Sequence, residues 1–330
     1  MQHKVIRLAA RPSKGIGPEL FSIQQEVVPT PSAGQLLIKQ THMSLDPAML
    51  GWMAEDKDSY IPPVGLGDVM RSTGLGEVVA SEHADFAVGD RVLGMFGWQE
   101  YALSNGAGLN KVTAPLPAEA VLSILALPGL TATHGLFNVG KPKTGETIVV
   151  TGAAGSVGSI VGQLAKAEGL RVVGVAGSDD KCHWLRDELH FDGVINYKSE
   201  NLADQLKALT PDGVDVYFEN TGGPIQSLVY NRMNTFGRIV VCGMIADYLA
   251  TQPAPGPSWI RMIKKRLTMQ GFAMPDHLQD APALIEKIIP YVSAGKIKYR
   301  AHVLQGLDAA VDGLNLLFTG RNNGKLMVEL

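Results

Sequence analysis

The residues Thr151-Gly152-Ala153-Ala154-Gly155-Ser156-Val157-Gly158 put small side chains where a backbone would have to approach a bulky anion. Their chemistry is recognition. Small residues let main-chain N–H groups reach a pyrophosphate, and a helix starting there adds a positive dipole end. The apolar run Thr147, Ile148, Val149, Val150 precedes the turn. Val157, Ile160, Val161, Leu164 and Ala165 follow at helical spacing, on one face. Strand, small-residue turn and amphipathic helix together make a dinucleotide fingerprint, with Ala153 in the first glycine's place. A turn of this kind that binds nothing is the weaker reading. Gly158 and Gly162 are expected to let the helix sit close to its sheet.

The next strand ends Val175-Ala176-Gly177-Ser178. An NAD site usually has an acid at that tip, about 20 residues past the turn, for the ribose 2′-hydroxyl. Here the tip is acid-free, with room for a phosphate, and Lys181 follows. Asp179 and Asp180 argue the other way, and a lysine at a helix start is often merely solvated. These residues alone lean towards NADP.

The elements that must hold this turn can be read in outline. Residues 1 to about 115 are short apolar runs, such as 35–40, 76–80 and 90–94, bounded by Gly, Pro and Asp. They predict a mainly antiparallel β domain. Residues 118–139 predict two buried helices broken around Pro128 and Gly129. From Glu146, strands are predicted at 147–150, 171–176, 194–197, 214–218, 238–242 and 267–272, with helices between. That alternation predicts a doubly wound parallel sheet. A last strand is predicted at 325–329.

Composition bounds the rest. The 330 residues are 45% hydrophobic and 18% charged, with a net charge of -3. Packed cores are expected, while disorder and nucleic-acid binding are not. No window of the sequence reads as the run of about 20 apolar residues that spans a bilayer, and the first residues lack a signal peptide's apolar core. The two cysteines, Cys182 and Cys242, suggest neither a disulfide framework nor a zinc lobe. The expected compartment is reducing, most simply the cytoplasm.

Several stretches resemble one family: GAAGSVGSIVGQLAKAEGLRVVGVAGSDDKC, VDVYFENTGG, GRIVVCGMIADY, NNGKLMVEL, MSLDPAM and GDRVLGMFGWQEYALS. In order and over essentially the whole chain, they are similar to the zinc-free medium-chain reductases. The branch is that of the leukotriene B4 dehydrogenase/prostaglandin reductases, plant 2-alkenal reductases and bacterial NADPH-dependent curcumin reductases. The resemblance implies an α/β protein with a GroES-like β domain at 1–118 and 298–330 and a Rossmann NADP-binding domain at 119–297. It also implies a homodimer that reduces the carbon–carbon double bond of α,β-unsaturated ketones or aldehydes with NADPH.

Carried over by position, the resemblance places the pyrophosphate on Gly155, Ser156, Val157 and Gly158. It places the 2′-phosphate near Ser178, Lys181 and Tyr197. Asn220, Cys242, Gly243, Met244, Ile245, Tyr248, Phe272, Ala273, Met274 and Asn322 complete the envelope. Two positions depart from the relatives. They often read DPYMR where this chain has Asp46, Pro47, Ala48, Met49 and Leu50, and they carry Ala at Gly152, a harmless change in a turn.

The zinc-dependent cousins provide a contrast. Where they carry a ligand Cys and a GHE motif, this chain has Met43-Ser44-Leu45 and Gly65-Leu66-Gly67-Asp68. The eight histidines are scattered in sequence, with His183 and His190 the nearest pair, and no metal is expected. Metal-free hydride transfer to the β carbon needs a donor for the enolate oxygen. Tyr248 is the first candidate and Tyr60 the second. Otherwise Tyr248 packs against the cofactor and Tyr60 is a surface tyrosine. A quinone reductase, or a non-catalytic NADPH-binding protein, is the alternative reading of the whole chain.

Overall fold

The computed structural model describes residues 1–13, 15–250, 252 and 255–330. It divides into two compact units. The first comprises Met1–Leu122, Ala301–Asn322 and Leu326–Leu330, and the second Ser123–Arg300 and Asn323–Lys325.

The first unit is antiparallel. Strands β1 (Gln2–Leu8) and β2 (Phe21–Val27) pair as a ribbon. The larger sheet contains β3 (Leu36–Ser44), β4 (Thr73–Ser81), β5 (Arg91–Met95), β6 (Tyr101–Ser104) and β7 (Asn110–Lys111), and the chain end returns to it. Its core gathers Leu45, Met49, Trp52 and Trp98 with Leu326 and Val328. Phe21 stacks on Trp98 at 5.0 Å.

The second unit is a six-stranded sheet. Its strands are β8 (Thr147–Val150), β9 (Arg171–Ala176), β10 (Gly193–Asn196), β11 (Val214–Glu219), β12 (Met233–Val241) and β13 (Thr268–Gly271). The order is β10-β9-β8-β11-β12-β13, all parallel. The order reverses between β8 and β11, and a doubly wound sheet takes its ligand at the carboxyl ends of such strands. Two more strands follow, β14 (Ala301–Gln305) and β15 (Lys325–Glu329), and β15 pairs antiparallel with β3.

The sheet strands are apolar on both faces because helices cover both. Thr147, Ile148, Val149 and Val150 are all buried. The helix Ser156–Ala167 turns Ile160, Val161, Leu164 and Ala165 into the core, each 1% exposed or less. Gly158 lets this helix close on the turn, since a Cβ there would lie 2.4 Å from the Gly152 carbonyl oxygen. Gly162 has a different job from the one expected: it makes room for the Phe191 ring, which a Cβ would meet at 2.0 Å.

Two readings of residues 118–140 need correction. The helical path breaks at Ala126, which is extended (φ -90°, ψ -169°), before Pro128 and Gly129 rather than at them. Pro128 falls in the first turn of the helix Leu127–Thr133, where its missing N–H costs nothing. Gly129 is required there, because a Cβ would strike the Ile124 carbonyl oxygen at 1.7 Å. The run Ala118–Gly140 is also long and apolar enough, by length and composition, to cross a membrane. Its window is 78% buried within the protein, so its helical segments belong to the core.

Candidate functional site

The carboxyl ends of β8, β9, β11, β12 and β13 bring together most of the residues expected to bind a dinucleotide. Gly155 N-caps the helix Ser156–Ala167 with no side-chain cap, so side chains leave the first N–H groups of Ser156, Val157 and Gly158 uncovered. Gly152 lies in the left-handed region at φ +57°, which gives its presence in place of alanine a positive reason.

One buried acid ties the strand ends together, and the sequence reading passed over it. Glu219 ends β11 and is fully buried. Its Oε1 accepts hydrogen bonds from Thr151 Oγ1 at 2.6 Å, the Thr221 N–H at 2.7 Å and the Gly222 N–H at 3.1 Å. Tyr217 donates its hydroxyl to Oε2. Burial and this carboxylate push the Tyr217 pKa well up, so the phenol stays a donor. Asn220 completes the bridge: its Nδ2 donates to the Thr151 carbonyl at 2.7 Å, and its N–H donates to Thr151 Oγ1 at 3.0 Å. The link spans β8 and β11, where the strand order reverses.

The next strand end is held from the same place. The N–H groups of Cys242 and Gly243 donate to the Glu219 carbonyl at 2.9 and 3.1 Å. The N–H of Ala246 donates to the Thr221 carbonyl at 2.8 Å. Cys242 packs against the core, and burial followed by Glu219 raises its thiol to about 12, so it is no nucleophile near neutral pH. Tyr248 is 44% exposed, and its hydroxyl oxygen accepts the Met244 N–H at 3.2 Å.

At the tip of β9 the geometry suits a dianion. Ser178 caps the following helix by accepting from the Lys181 N–H at 3.4 Å. The Tyr197 ring lies over Gly177, where a Cβ would fall 2.9 Å from it. Lys181 has its pKa lowered, first by burial and then by Lys198, so two ammonium groups crowd one place. Lys198 also stands 5.9 Å over the Tyr197 ring. The sequence reading omitted Lys198, although it follows Tyr197 directly. Asp179, which argued for a ribose hydroxyl, accepts the Asn196 amide at 2.8 Å.

Phe272 is half-buried, Ala273 precedes the short 3-10 helix Met274–Asp280, and Met274 is core, 6% exposed, against Leu130 and Leu284. Tyr60, 54% exposed, and Asn322 belong to the first unit. Two histidines that the sequence leaves far apart meet across the fold. His134 and His277 lie ring to ring, their centroids 3.9 Å apart.

Comparison with known proteins now bears on this architecture. Residues 4–112 match a family described as the N-terminal domain of oxidoreductase, and residues 156–289 one described as zinc-binding dehydrogenase. The NADPH-dependent curcumin reductase of Escherichia coli is 39% identical, over 98% of this chain and 95% of its own length. The NADP-dependent 2-alkenal reductase of Nicotiana tabacum is 39% identical, over 90% and 87%. The chain belongs to the zinc-free branch of the medium-chain dehydrogenases/reductases. CurA of Vibrio vulnificus, solved in complex with NADPH, superposes with a TM-score of 0.93 at 39% identity, covering 99% of this chain and 98% of that one. The GroES-like and Rossmann architecture is thereby established.

Glu219 gives this site a direct test. Glu219→Ala strands buried donors that each cost about 1–3 kcal/mol when unsatisfied. It should lower the melting temperature and abolish measurable dinucleotide binding in a fluorescence titration. Glu219→Gln, which keeps an acceptor, should retain most of both. Normal binding by the alanine variant would show that the bridge does not shape the turn.

Proposed function

We propose that this protein is an NADPH-dependent reductase of the carbon–carbon double bond in α,β-unsaturated ketones and aldehydes. The observation that carries the reading is the pairing of an uncapped helix N-terminus at Gly155 with the acid-free, doubly cationic tip of β9. The first suits a pyrophosphate and the second a 2′-phosphate. The relatives' names, NADPH-dependent curcumin reductase and NADP-dependent 2-alkenal reductase, support both cofactor and reaction. The protein would act in a reducing aqueous compartment, where its free cysteines stay thiols.

In this reading Gly155, Ser156, Val157 and Gly158 hold the pyrophosphate. Ser178, Lys181, Tyr197 and Lys198 hold the 2′-phosphate. Asn220 and the backbone from Cys242 to Ile245 border the nicotinamide, with Phe272, Ala273 and Met274 on the next strand end. When bound, the reduced nicotinamide supplies a hydride for the substrate's β carbon. Tyr248 donates a hydrogen bond to the carbonyl oxygen as negative charge builds there, and solvent protonates the α carbon. Tyr60 is the weaker candidate for the same role.

The residues do not fit zinc at the positions the zinc-dependent cousins use. Met43 is buried in the first unit's core, and Asp68 accepts the Gly65 N–H at 3.2 Å. No step here passes through a metal.

A homodimer is part of the proposal. β13 ends the sheet with one side unpaired among the described residues. The neighbouring helix Trp259–Lys265 exposes Trp259 (65%), Ile260 (65%) and Ile263 (77%), an apolar face of the kind that marks an interface. Sedimentation should give twice the 35.2 kDa chain mass, and a monomer at micromolar concentration would remove this part of the reading.

Two measurements test the chemistry. Lys181→Ala and Lys198→Ala should each reduce kcat/KM with NADPH about tenfold or more, the scale of one charge-assisted hydrogen bond, while sparing NADH. Equal effects on both cofactors would remove the 2′-phosphate assignment. Stopped-flow oxidation of NADPH by alkenals, diarylenones and quinones should favour the enones, and Tyr248→Phe should slow hydride transfer about tenfold or more. Preference for quinones, or binding without turnover, would redirect the assignment, and an unchanged rate would clear Tyr248 of the role.

A further inference from the structure

Next to Phe272 and Met274 of the proposed dinucleotide site, the described residues hold one cluster with metal-binding chemistry. His134, His277 and Asp280 each offer one ligand atom, and these atoms all lie within 4.8 Å of one another. His134 sits on the helical segment His134–Gly140 and is 5% exposed. His277 and Asp280 lie on the 3-10 helix Met274–Asp280, both partly exposed. We propose that these three side chains form a binding site for a borderline divalent transition-metal ion, with zinc the best match.

The donor set defines the class. Two imidazoles and a carboxylate suit zinc, and nickel or copper less selectively, whereas magnesium and calcium want oxygen ligands alone. Three protein ligands leave a fourth position for water. Ligand atoms of a tetrahedral zinc, with bonds of about 2.0–2.1 Å, stand roughly 3.3 Å apart. The cluster therefore has to close by ångström-scale side-chain movement.

The two sides of the cluster are unequally free to move. His134 is fixed in the core, its ring 5.2 Å from that of Phe272 and its Nδ1 3.2 Å from the Asn138 side-chain amide. As placed, the amide nitrogen faces Nδ1; a flip of that amide would let its oxygen accept an Nδ1–H and leave Nε2 to the metal, the usual outer-shell arrangement for a ligand histidine. His277 interrupts its helix with φ -125° and ψ 15°, and its Nδ1 already lies 3.5 Å from Asp280 Oδ2. The His134 and His277 rings are tilted by 31°. A swing of the half-exposed His277 aims both rings at one ion without disturbing the core.

The test uses the full chain, stripped with EDTA and dialysed. Calorimetry with zinc should show one equivalent bound per chain, cobalt should give the visible absorption of a tetrahedral site, and zinc should raise the melting temperature. His277→Ala and Asp280→Asn alter partly exposed positions and should fold. Each should lose the bound equivalent and the thermal shift, whereas His183→Ala, at an exposed helix position, should keep both. Absence of uptake by the wild type at micromolar zinc, or uptake that survives in both variants, would overturn the proposal.

Discussion

The carboxylate of Glu219 is the interaction on which the rest of the site depends. A buried acid without partners would be a severe liability. Here one oxygen accepts Thr151 Oγ1 and the N–H groups of Thr221 and Gly222, and the other accepts Tyr217. The partners come from both strands that flank the reversal of strand order, so the carboxylate sets the distance between β8 and β11 at their carboxyl ends. A hydrophobic residue would pack at Glu219 but could not orient four donors from two segments. The network therefore fixes one geometry at the place where a doubly wound sheet opens to its ligand.

Electrostatics then divide that opening into two regions. At Gly155 the attraction for an anion comes from backbone N–H groups, which carry partial charge and do not titrate. At the β9 tip it comes from Lys181, whose pKa is lowered by burial and then by the charge of Lys198. Crowding two cations is unfavourable alone, and a phosphate dianion between them turns the repulsion into attraction. The acid that could compete for this place, Asp179, is engaged by Asn196. The identity of the residues mattered less for cofactor choice than where each acid and base was tethered.

Local pattern made much of this legible, and its failures have physical causes. The strands at 147–150, 171–176 and 325–329 stop where their apolar runs stop. β12 instead begins at Met233, well before its apolar run, because Met233 pairs with Val214; the register then shifts to Arg238 opposite Val216, past Phe236, whose φ is +66°. Glu219 had no signature, since one acid after an apolar run reads as the strand reaching solvent. Only the contact with Thr151, remote in sequence, shows that it faces inward. His134 and His277 are invisible for the same reason, because helix and loop meet through the fold and no spacing records it. The approach of Lys198 to the Tyr197 ring was legible in part, since the two are adjacent in sequence.

The bridge also reaches the chemistry. Glu219 fixes Thr221 through its side chain and the start of the loop after β12 through its main-chain carbonyl. Thr221 in turn accepts the N–H of Ala246, and Met244 donates to the Tyr248 hydroxyl. The candidate donor and the glycine turn thus hang from one buried acid by short chains of hydrogen bonds. Hydride transfer is sensitive to sub-ångström placement of donor and acceptor carbons, and a donor to the developing oxyanion helps only where it is already aimed. A half-exposed tyrosine on a loop would be a poor choice if its loop were independent. Tied through Met244 and Ala246 to the strand end, Tyr248 takes its placement from the element that shapes the cofactor site. In the proposed reaction no residue of unusual acidity would then be needed, because positioning would do the work of a strong acid.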